Sequence, residues 1–259
     1  MQSAGRWLLA AAVLIVLAGC GKRVLYVTHT AGYRHDSIPL SRDVLAGAAA
    51  RTGRLQVFAT EDLAWISSEG LAAFDAVFFY TSGELALTAQ QKRALLDFVR
   101  SGNGFGGVHS AADTLYSWPE YGELIGGIFD GHPWAQEVNV IVEDRLHPAT
   151  RHLPPAFRIA DEIYQFRAFS RDRVRVLLRL DPASVNLGAP GVNRTDRDFA
   201  LAWCHNYGGG RVFYTALGHP GEVWEDERFQ RMLEGALLWL TGQEDGDVTP
   251  RPVPAAIEP

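Results

Sequence analysis

The strongest constraint on the fold is the segment 104–114, where glycines and two apolar residues lead directly into small polar residues. This pattern is typical of a short buried strand that ends in a sharp turn, since glycine allows close backbone packing and positive φ angles. In open α/β sheets, ligands bind at the carboxyl ends of the strands. We therefore expect His109, Ser110 and Asp113 at the mouth of a site rather than in the core.

Apolar runs that alternate with helical patterns predict the rest of this sheet. Runs typical of buried strands occupy residues 24–28, 55–59 and 74–80. Amphipathic helices are predicted after Ser37, a favourable N-cap, and after Thr88, which forms a capping box with Gln91. This alternation indicates a mainly parallel sheet with right-handed crossovers.

The second half of the chain has a different pattern. Between about 128 and 180, prolines interrupt strand-like runs that have no helix between them. We expect an extended, partly antiparallel insertion that covers one edge of the sheet and contributes to the site. The runs on either side of 206–210 predict a β-hairpin, and the apolar periodicity of 229–240 predicts a closing helix. Residues 243–259 are rich in proline and acidic residues and are expected to be disordered.

The first 20 residues predict export and lipidation. One arginine precedes an apolar run that ends in Leu-Ala-Gly before Cys20, and the run is shorter than the roughly 20 residues that span a membrane. It fits an export signal and resembles a bacterial lipobox, which implies cleavage before Cys20 and a lipid on its thiol. We expect a signal peptide over 1–20 and a lipid-anchored, periplasm-facing protein of the cell envelope, held at the outer membrane. An uncleaved anchor and a chance cysteine are the alternatives.

Composition excludes some partners. A formal net charge of −6 and a pI of about 5.7 give none of the basic surface that nucleic-acid binding needs. Cys204 is the other cysteine of the chain, so a lipidated Cys20 leaves it without an intrachain disulfide partner. Because Cys204 lies in an apolar strand pattern, we expect a small buried hydrophobic side chain.

Four ordered blocks carry a family resemblance. They cover residues 32–38, 107–114, 161–164 and 209–219, and they are similar to the ThuA-like (trehalose utilisation) family over about 24–242. The resemblance implies an α/β fold: a flavodoxin-like three-layer sandwich with a mainly parallel sheet, related to the class I glutamine amidotransferases. It also implies an association with sugar catabolism. We expect one such domain over 21–242.

The chain departs from the amidotransferases at the turn after the glycine-rich strand. Those enzymes have Gly-Val-Cys there and His-Pro-Glu downstream, whereas this chain has Gly-Val followed by His109, and His219-Pro-Gly followed by Glu222. Glutamine hydrolysis by that superfamily needs a sulfur nucleophile to form the acyl-enzyme. We therefore do not expect amidotransferase activity.

Three histidines follow predicted strands. His35, His109 and His219 would converge at the carboxyl end of a parallel sheet, with Asp113, Glu162 and Glu222 available nearby. Imidazoles and carboxylates suit a divalent metal ion such as Zn²⁺, and they also suit acid–base catalysis without metal. The alternative is that the histidines hydrogen-bond one another and the backbone around an inherited cleft.

Further residues are candidates for substrate binding. Tyrosine and tryptophan rings beside polar groups suit a sugar ring. The candidates are His35, Tyr33, Arg34, Ser110, Tyr164 and Glu222, with Trp118, Trp134 and Trp224 near the same loops.

Two further residue assignments depend on the turn and on strand alternation. Ser110 is a weaker nucleophile candidate, with His219 as base and Glu222 to orient it, because the turn presents residue 109. A helix cap is the simpler role for Ser110. Of Asp161 and Glu162, one faces the cleft and the other is expected to be solvated.

Two classes of function remain. The first is an enzyme that acts on a sugar or a keto-sugar derivative, as a hydrolase or lyase, with His109 and His219 as acid–base groups or metal ligands and Asp113 and Glu162 assisting. The second is a carbohydrate-binding or scaffolding protein without catalysis. A glutamine amidotransferase is the third and weakest interpretation.

Overall fold

A computed structural model describes residues 21–252. Its strands are β1 (Lys22–Val27), β2 (Leu55–Thr60), β3 (Ala76–Phe79), β4 (Gly104–Val108), β5 (Ile128–Phe129), β6 (Trp134–Val142), β7 (Ala156–Ile163), β8 (Phe166–Arg167), β9 (Arg175–Leu180), β10 (Ala200–Tyr207) and β11 (Gly210–Thr215). Nine of them form one sheet in the order β2-β1-β3-β4-β11-β10-β9-β6-β7, and β5 pairs with β8.

Five of the nine strands of the large sheet are parallel to one another. β2, β1, β3, β4 and β11 pair side by side in the same direction. The last four residues of β1 and every residue of β3 and β4 are buried, as expected for strands covered on both faces. The predicted mainly parallel α/β sandwich is confirmed.

The other four strands are antiparallel to their neighbours. β10 returns beside β11 through the predicted hairpin, and β9, β6 and β7 add further antiparallel neighbours. The segment predicted as an insertion over the sheet edge is therefore antiparallel, but it lengthens the sheet by hydrogen bonding instead of lying over the edge.

Helices cover both faces of the sheet. They are α1 (Ile38–Thr52), α2 (Ser68–Leu71), α3 (Ala89–Arg100), α4 (Pro119–Ile125), α5 (Gly221–Glu225) and α6 (Glu227–Leu240). A side chain at Gly106 would meet Leu240 of α6, and one at Gly107 would meet Ile125 of α4. Neighbouring strand residues point to opposite faces, so α4 and α6 lie on opposite sides of β4.

Two predicted helix starts had different outcomes. The capping box of Thr88 and Gln91 is present at α3. Ser37 precedes α1 but makes no side-chain cap. Its hydroxyl instead lies 2.8 Å from the Tyr80 hydroxyl and donates to the His219 carbonyl at 2.9 Å. Ser37 therefore ties α1 to the His219 loop.

The predicted disorder after residue 242 is wrong for 243–252, because this segment packs against the domain. Arg54 donates to the Gln243 carbonyl at 2.7 Å, and Asp247 pairs with Arg175 at 2.7 Å. The prediction of disorder assumed that this proline-rich, acidic segment has no binding partners in the domain, and these contacts provide them. The remaining residues, 253–259, lie outside the described range.

The predicted signal peptide and Cys20 also lie outside the described residues. Within 21–252, the helices are too short or too polar to cross a bilayer.

Candidate functional site

Three imidazoles meet at the carboxyl end of the parallel strands. His35 lies between β1 and α1, His109 directly follows β4, and His219 follows β11. One nitrogen from each ring lies within 4.8 Å of the others, and the ring centroids are 4.8–5.2 Å apart. The convergence expected from the sheet order is present, and these residues could hold a metal ion.

The turn after β4 is tight. His109 has a φ of 47°, and a short 3₁₀-helix begins there. A Cβ at Gly107 would lie 2.9 Å from the Ala111 side chain, so glycine allows the chain to double back. The turn buries His109 completely, contrary to the expected exposure at the mouth.

Ser110 is also buried, and it does not cap a helix. Its hydroxyl lies 3.5 Å from His35 Nδ1, and the residue before the 3₁₀-helix is Val108. The expected cap is wrong because the hydroxyl is directed toward the imidazole instead of the helix amides.

Hydrogen bonds fix the tautomer of His109. Nδ1 lies 2.7 Å from the Ala216 carbonyl, which can only accept, so Nδ1 carries the proton. Nε2 therefore presents a lone pair. Tyr164 donates its hydroxyl to this atom at 2.9 Å, and His219 Nδ1 lies 3.2 Å away. Burial lowers the pKa of His109 well below its usual value, which keeps the ring neutral.

Glu162 and His219 form a carboxylate–imidazole pair. Glu162 Oε2 lies 3.2 Å from His219 Nδ1. This hydrogen bond raises the pKa of His219. Burial raises the pKa of Glu162, but the bond from His219 and the nearby histidine charges outweigh it and lower that pKa. Among the residues that the structure describes, no carboxylate pairs with His35, and burial lowers its pKa to about 4.

An open pocket of about 350 Å³ lies beside these groups. It is lined by Tyr33, His35, Asp113, Phe129, His132, Glu162, Tyr164 and His219. Burial raises the pKa of Asp113 to about 6. None of the lining residues in the described part of the chain is lysine or arginine, so its carboxyl groups face imidazoles and aromatic rings.

Several predicted residues lie elsewhere. Arg34 turns away from the pocket and pairs with both oxygens of Glu61 at 2.9 and 3.1 Å. Glu222 is exposed in the first turn of α5. Neither lines the pocket. The tryptophans expected near the mouth are buried in the core: Trp118, Trp134 and Trp224.

Asp161 has a role that sequence reasoning missed. Instead of being solvated, it is buried and accepts backbone N–H groups of Gly218 at 2.7 Å, His219 at 3.1 Å and Glu162 at 2.8 Å. Burial raises its pKa to about 7. Asp161 thus holds the His219 loop, and the available signal was its position next to Glu162 on an alternating strand.

Phe129 was also missed, and His132, a loop histidine that the sequence offered as a possible cleft residue without a role, lines the pocket beside it. His132 Nε2 lies 3.9 Å from Glu162 Oε1, and the His132 and Phe129 rings stack at 5.9 Å. Phe129 and Tyr164 have ring centroids 4.4 Å apart. These rings give the pocket an apolar wall beside its carboxylates.

The one described thiol takes no part in this site. Cys204 is buried in β10, and burial raises its pKa, which confirms the expected small hydrophobic role. The arrangement provides a neutral imidazole lone pair, a carboxylate–imidazole pair and a carboxyl group with a raised pKa. These are the components of acid–base chemistry.

Comparisons with solved structures show the fold. A putative ThuA-like protein from Bacteroides uniformis matches with a TM-score of 0.72 and 24% identity, over 85% of this chain and 91% of that one. One from Parabacteroides merdae has a TM-score of 0.67 and 21% identity, over 91% and 94%. A β-galactosidase from Bacillus circulans sp. alkalophilus has a TM-score of 0.53 and 12% identity, over 89% of this chain and 32% of that one.

A search of the curated proteins found no match. The model of the ThuA family, described as trehalose utilisation, matches residues 23–240, which span every strand and helix described above except the first residue of β1. The chain therefore belongs to the ThuA family.

Proposed function

We propose that this protein is an enzyme of sugar catabolism that acts on a neutral sugar or keto-sugar derivative by acid–base catalysis in the histidine-rich pocket. The observation that carries the proposal is the Glu162–His219 pair at 3.2 Å. It is supported by the family description, trehalose utilisation.

The pair supplies a base. His219 Nδ1 lies between two acceptors, Glu162 Oε2 and the His109 Nε2 lone pair, each 3.2 Å away. The proton therefore stays on Nδ1 and leaves His219 Nε2 free to accept one. When Nε2 takes a proton, the Glu162 carboxylate stabilises the imidazolium, as in hydrolase triads.

Asp113 supplies the complementary acid. Its pKa of about 6 keeps part of the population protonated near neutral pH, as a general acid requires. In a hydrolytic step, His219 Nε2 would remove a proton from water while Asp113 protonates the leaving oxygen of the sugar. Phe129 and Tyr164 offer ring faces for the sugar C–H groups.

A test is turnover of a panel of neutral disaccharides and their keto derivatives, followed by NMR of the products. We expect turnover by the natural sequence, and a loss of about 100-fold or more in His219→Gln. His205→Gln is the matched control, because His205 lies in β10 outside the pocket lining. Equal losses in both variants, or no turnover of any substrate, would reject this function.

The complete burial of His109 favours a second candidate, a carbohydrate-binding protein without catalysis. Its signature is calorimetric binding of a sugar with no product in the same panel. Tyr164→Phe would then weaken binding, since it removes the hydroxyl of a residue that lines the pocket.

We also propose that the protein is a lipoprotein of the bacterial cell envelope, on the grounds of the lipobox pattern before Cys20. Labelled fatty acid should be incorporated into the natural sequence and lost in Cys20→Ala. Incorporation that survives in the variant would contradict the proposal.

A further inference from the structure

We propose that His35, His109, His219 and Glu162 form a binding site for one divalent transition-metal ion. The site does not depend on sugar turnover and would exist equally in a protein that only binds. A bound ion would take the lone pair of His219 Nδ1, so the ring proton that lies on Nδ1 in the metal-free protein would move to Nε2.

The spacing of the donor atoms carries the proposal. His109 Nε2 and His219 Nδ1 are 3.2 Å apart. Glu162 Oε2 lies 3.2 Å from His219 Nδ1 and 3.6 Å from His109 Nε2. In a tetrahedral site with bonds of about 2.0–2.1 Å, ligand atoms are about 3.3–3.4 Å apart. Three of the six distances between the four ligand atoms are therefore already close to those of a tetrahedral site.

The fourth donor is near. One nitrogen of His35 lies within 4.8 Å of the other two histidine donors. An imidazole can move by about 1 Å through small changes in its side-chain torsions, because the staggered wells are broad enough to allow this. His35 also lines the pocket, so one side of its ring borders open space.

The second shell is also of the kind found around metal ions. A metal-binding histidine usually donates its other ring N–H to a carbonyl or carboxylate, which fixes the tautomer. His109 does so to the Ala216 carbonyl at 2.7 Å. Asp161 fixes the backbone of the His219 loop by accepting the N–H groups of Gly218 and His219. Two of the four ligands are thus held in place before any ion arrives.

The charge balance favours a cation. In the described part of the chain, the cationic partners of Glu162 within 4 Å are three histidines, His109, His132 and His219, and neither lysine nor arginine lines the pocket. A half-buried carboxylate without a permanent cation is costly. A divalent ion would supply that charge.

The donor set selects the type of ion. Three imidazoles and one carboxylate suit Zn²⁺, Co²⁺, Ni²⁺ or Fe²⁺. Ca²⁺ and Mg²⁺ prefer sites made of oxygen ligands. A sugar oxygen or a water from the pocket could enter as a further ligand, since catalytic zinc sites can expand to five-coordinate.

The experiment uses the purified mature chain, stripped with a chelator, dialysed and reloaded with Co²⁺. We expect one Co²⁺ per chain by elemental analysis and strong visible absorption bands, which distinguish a tetrahedral site from adventitious surface binding. Calorimetry with Zn²⁺ should also give one site per chain.

The variants are His219→Gln and Glu162→Gln, with His205→Gln as the matched control and thermal unfolding to verify folding. Loss of a ligand should weaken Zn²⁺ binding by more than about 100-fold, since loss of an outer-shell partner alone costs about 10–100-fold. The control should bind as the natural sequence does.

Substoichiometric binding by the folded natural sequence, or equal weakening by His205→Gln, would overturn the proposal. Turnover measured with the stripped protein separates the two proposals. Turnover by a protein that fails to bind Co²⁺ would leave the proposed enzyme intact and reject the metal site, whereas binding of metal without turnover would do the reverse.

Discussion

Two regions of the molecule bury a histidine beside carboxylates. The pocket cluster consists of His35, His109, Glu162 and His219. The tail cluster consists of Asp144, His147, Arg175 and Asp247, next to the C-terminal segment. In both, burial lowers the pKa of histidines, to about 4 for His35 and for His147. Burial and chemistry alone therefore do not distinguish them.

They differ in how the carboxylates are paired. In the tail cluster, Arg175 Nε donates to Asp144 at 2.5 Å and pairs with Asp247 at 2.7 Å. In the pocket cluster, the cationic partners of Glu162 within 4 Å among residues 21–252 are histidines, and Glu162 lines an open cavity. Groups that neutralise one another stabilise a fold, whereas groups left unneutralised beside a cavity are available to a ligand.

The largest expected effect is on stability, in the tail cluster. Asp144→Ala should lower the free energy of unfolding by about 3–5 kcal/mol, because it leaves a buried guanidinium without its main partner. Glu234→Ala is the control, since it breaks the half-exposed Arg51–Glu234 pair and should cost less than about 1 kcal/mol. Urea unfolding measures both. Equal losses of unfolding free energy in the two variants would show that the buried ion pair stabilises the fold no more than the surface pair does.

The next effect is on function, in the pocket cluster. Glu162→Gln should lower kcat/KM about 100-fold or more, because it removes the charge that orients and stabilises His219, while the free energy of unfolding changes by about 1 kcal/mol or less. Steady-state kinetics and urea unfolding measure the two effects. Glu137→Gln, on the neighbouring strand β6 and exposed, should leave both unchanged. A large loss of stability in Glu162→Gln would show that the carboxylate of the pocket cluster stabilises the fold, as the carboxylates of the tail cluster do.

The third effect depends on pH. The pKa of His147 is about 4 in the folded protein and near 6.5 when unfolded, so between these values the unfolded chain binds more protons. Stability should therefore fall as pH falls from 6.5 towards 4, by up to about 1.4 kcal/mol per pH unit. His147→Gln should flatten this part of the curve in urea unfolding measured from pH 7 to 4.5. An unchanged slope would show that His147 does not cause the acid sensitivity.

The smallest effect comes from one hydroxyl. Tyr164→Phe removes the donor to His109 Nε2 and should cost about 1 kcal/mol of stability together with a measurable loss of sugar binding. Tyr26→Phe removes a comparable buried bond to Ser41 at 2.7 Å, so calorimetry should find its stability lowered similarly and its binding unchanged. Weaker sugar binding in Tyr26→Phe would mean that the effect is transmitted through the core.

Much of the parallel half was predictable because its strands are continuous apolar runs between helices. The antiparallel half was harder, since its order depends on pairings between distant segments, such as β6 with β9. The C-terminal segment was misjudged for a related reason. Its composition indicates solvated acidic residues. In the structure, however, Asp247 pairs with Arg175, which lies far from it in the sequence.

The site was predictable to the extent that it follows from the sheet. The convergence of the three histidines follows from parallel strands ending at one edge. Side-chain direction did not follow: strand alternation indicates that Asp161 and Glu162 point to opposite faces, but not which one faces the cleft. Arg34 was misassigned because its partner, Glu61, is 27 residues away.

The start of β1 has a consequence for how the protein would meet a membrane. Lys22 begins the strand two residues after Cys20, at the end of the sheet opposite the pocket. If Cys20 carries an acyl chain, the linker between the lipid and β1 would be very short. The domain would therefore lie directly on the lipid headgroups, with the amino ends of its parallel strands facing the membrane. A six-residue strand rises by about 20 Å. The pocket would therefore open at about this distance from the headgroups and would face dissolved molecules instead of the lipids.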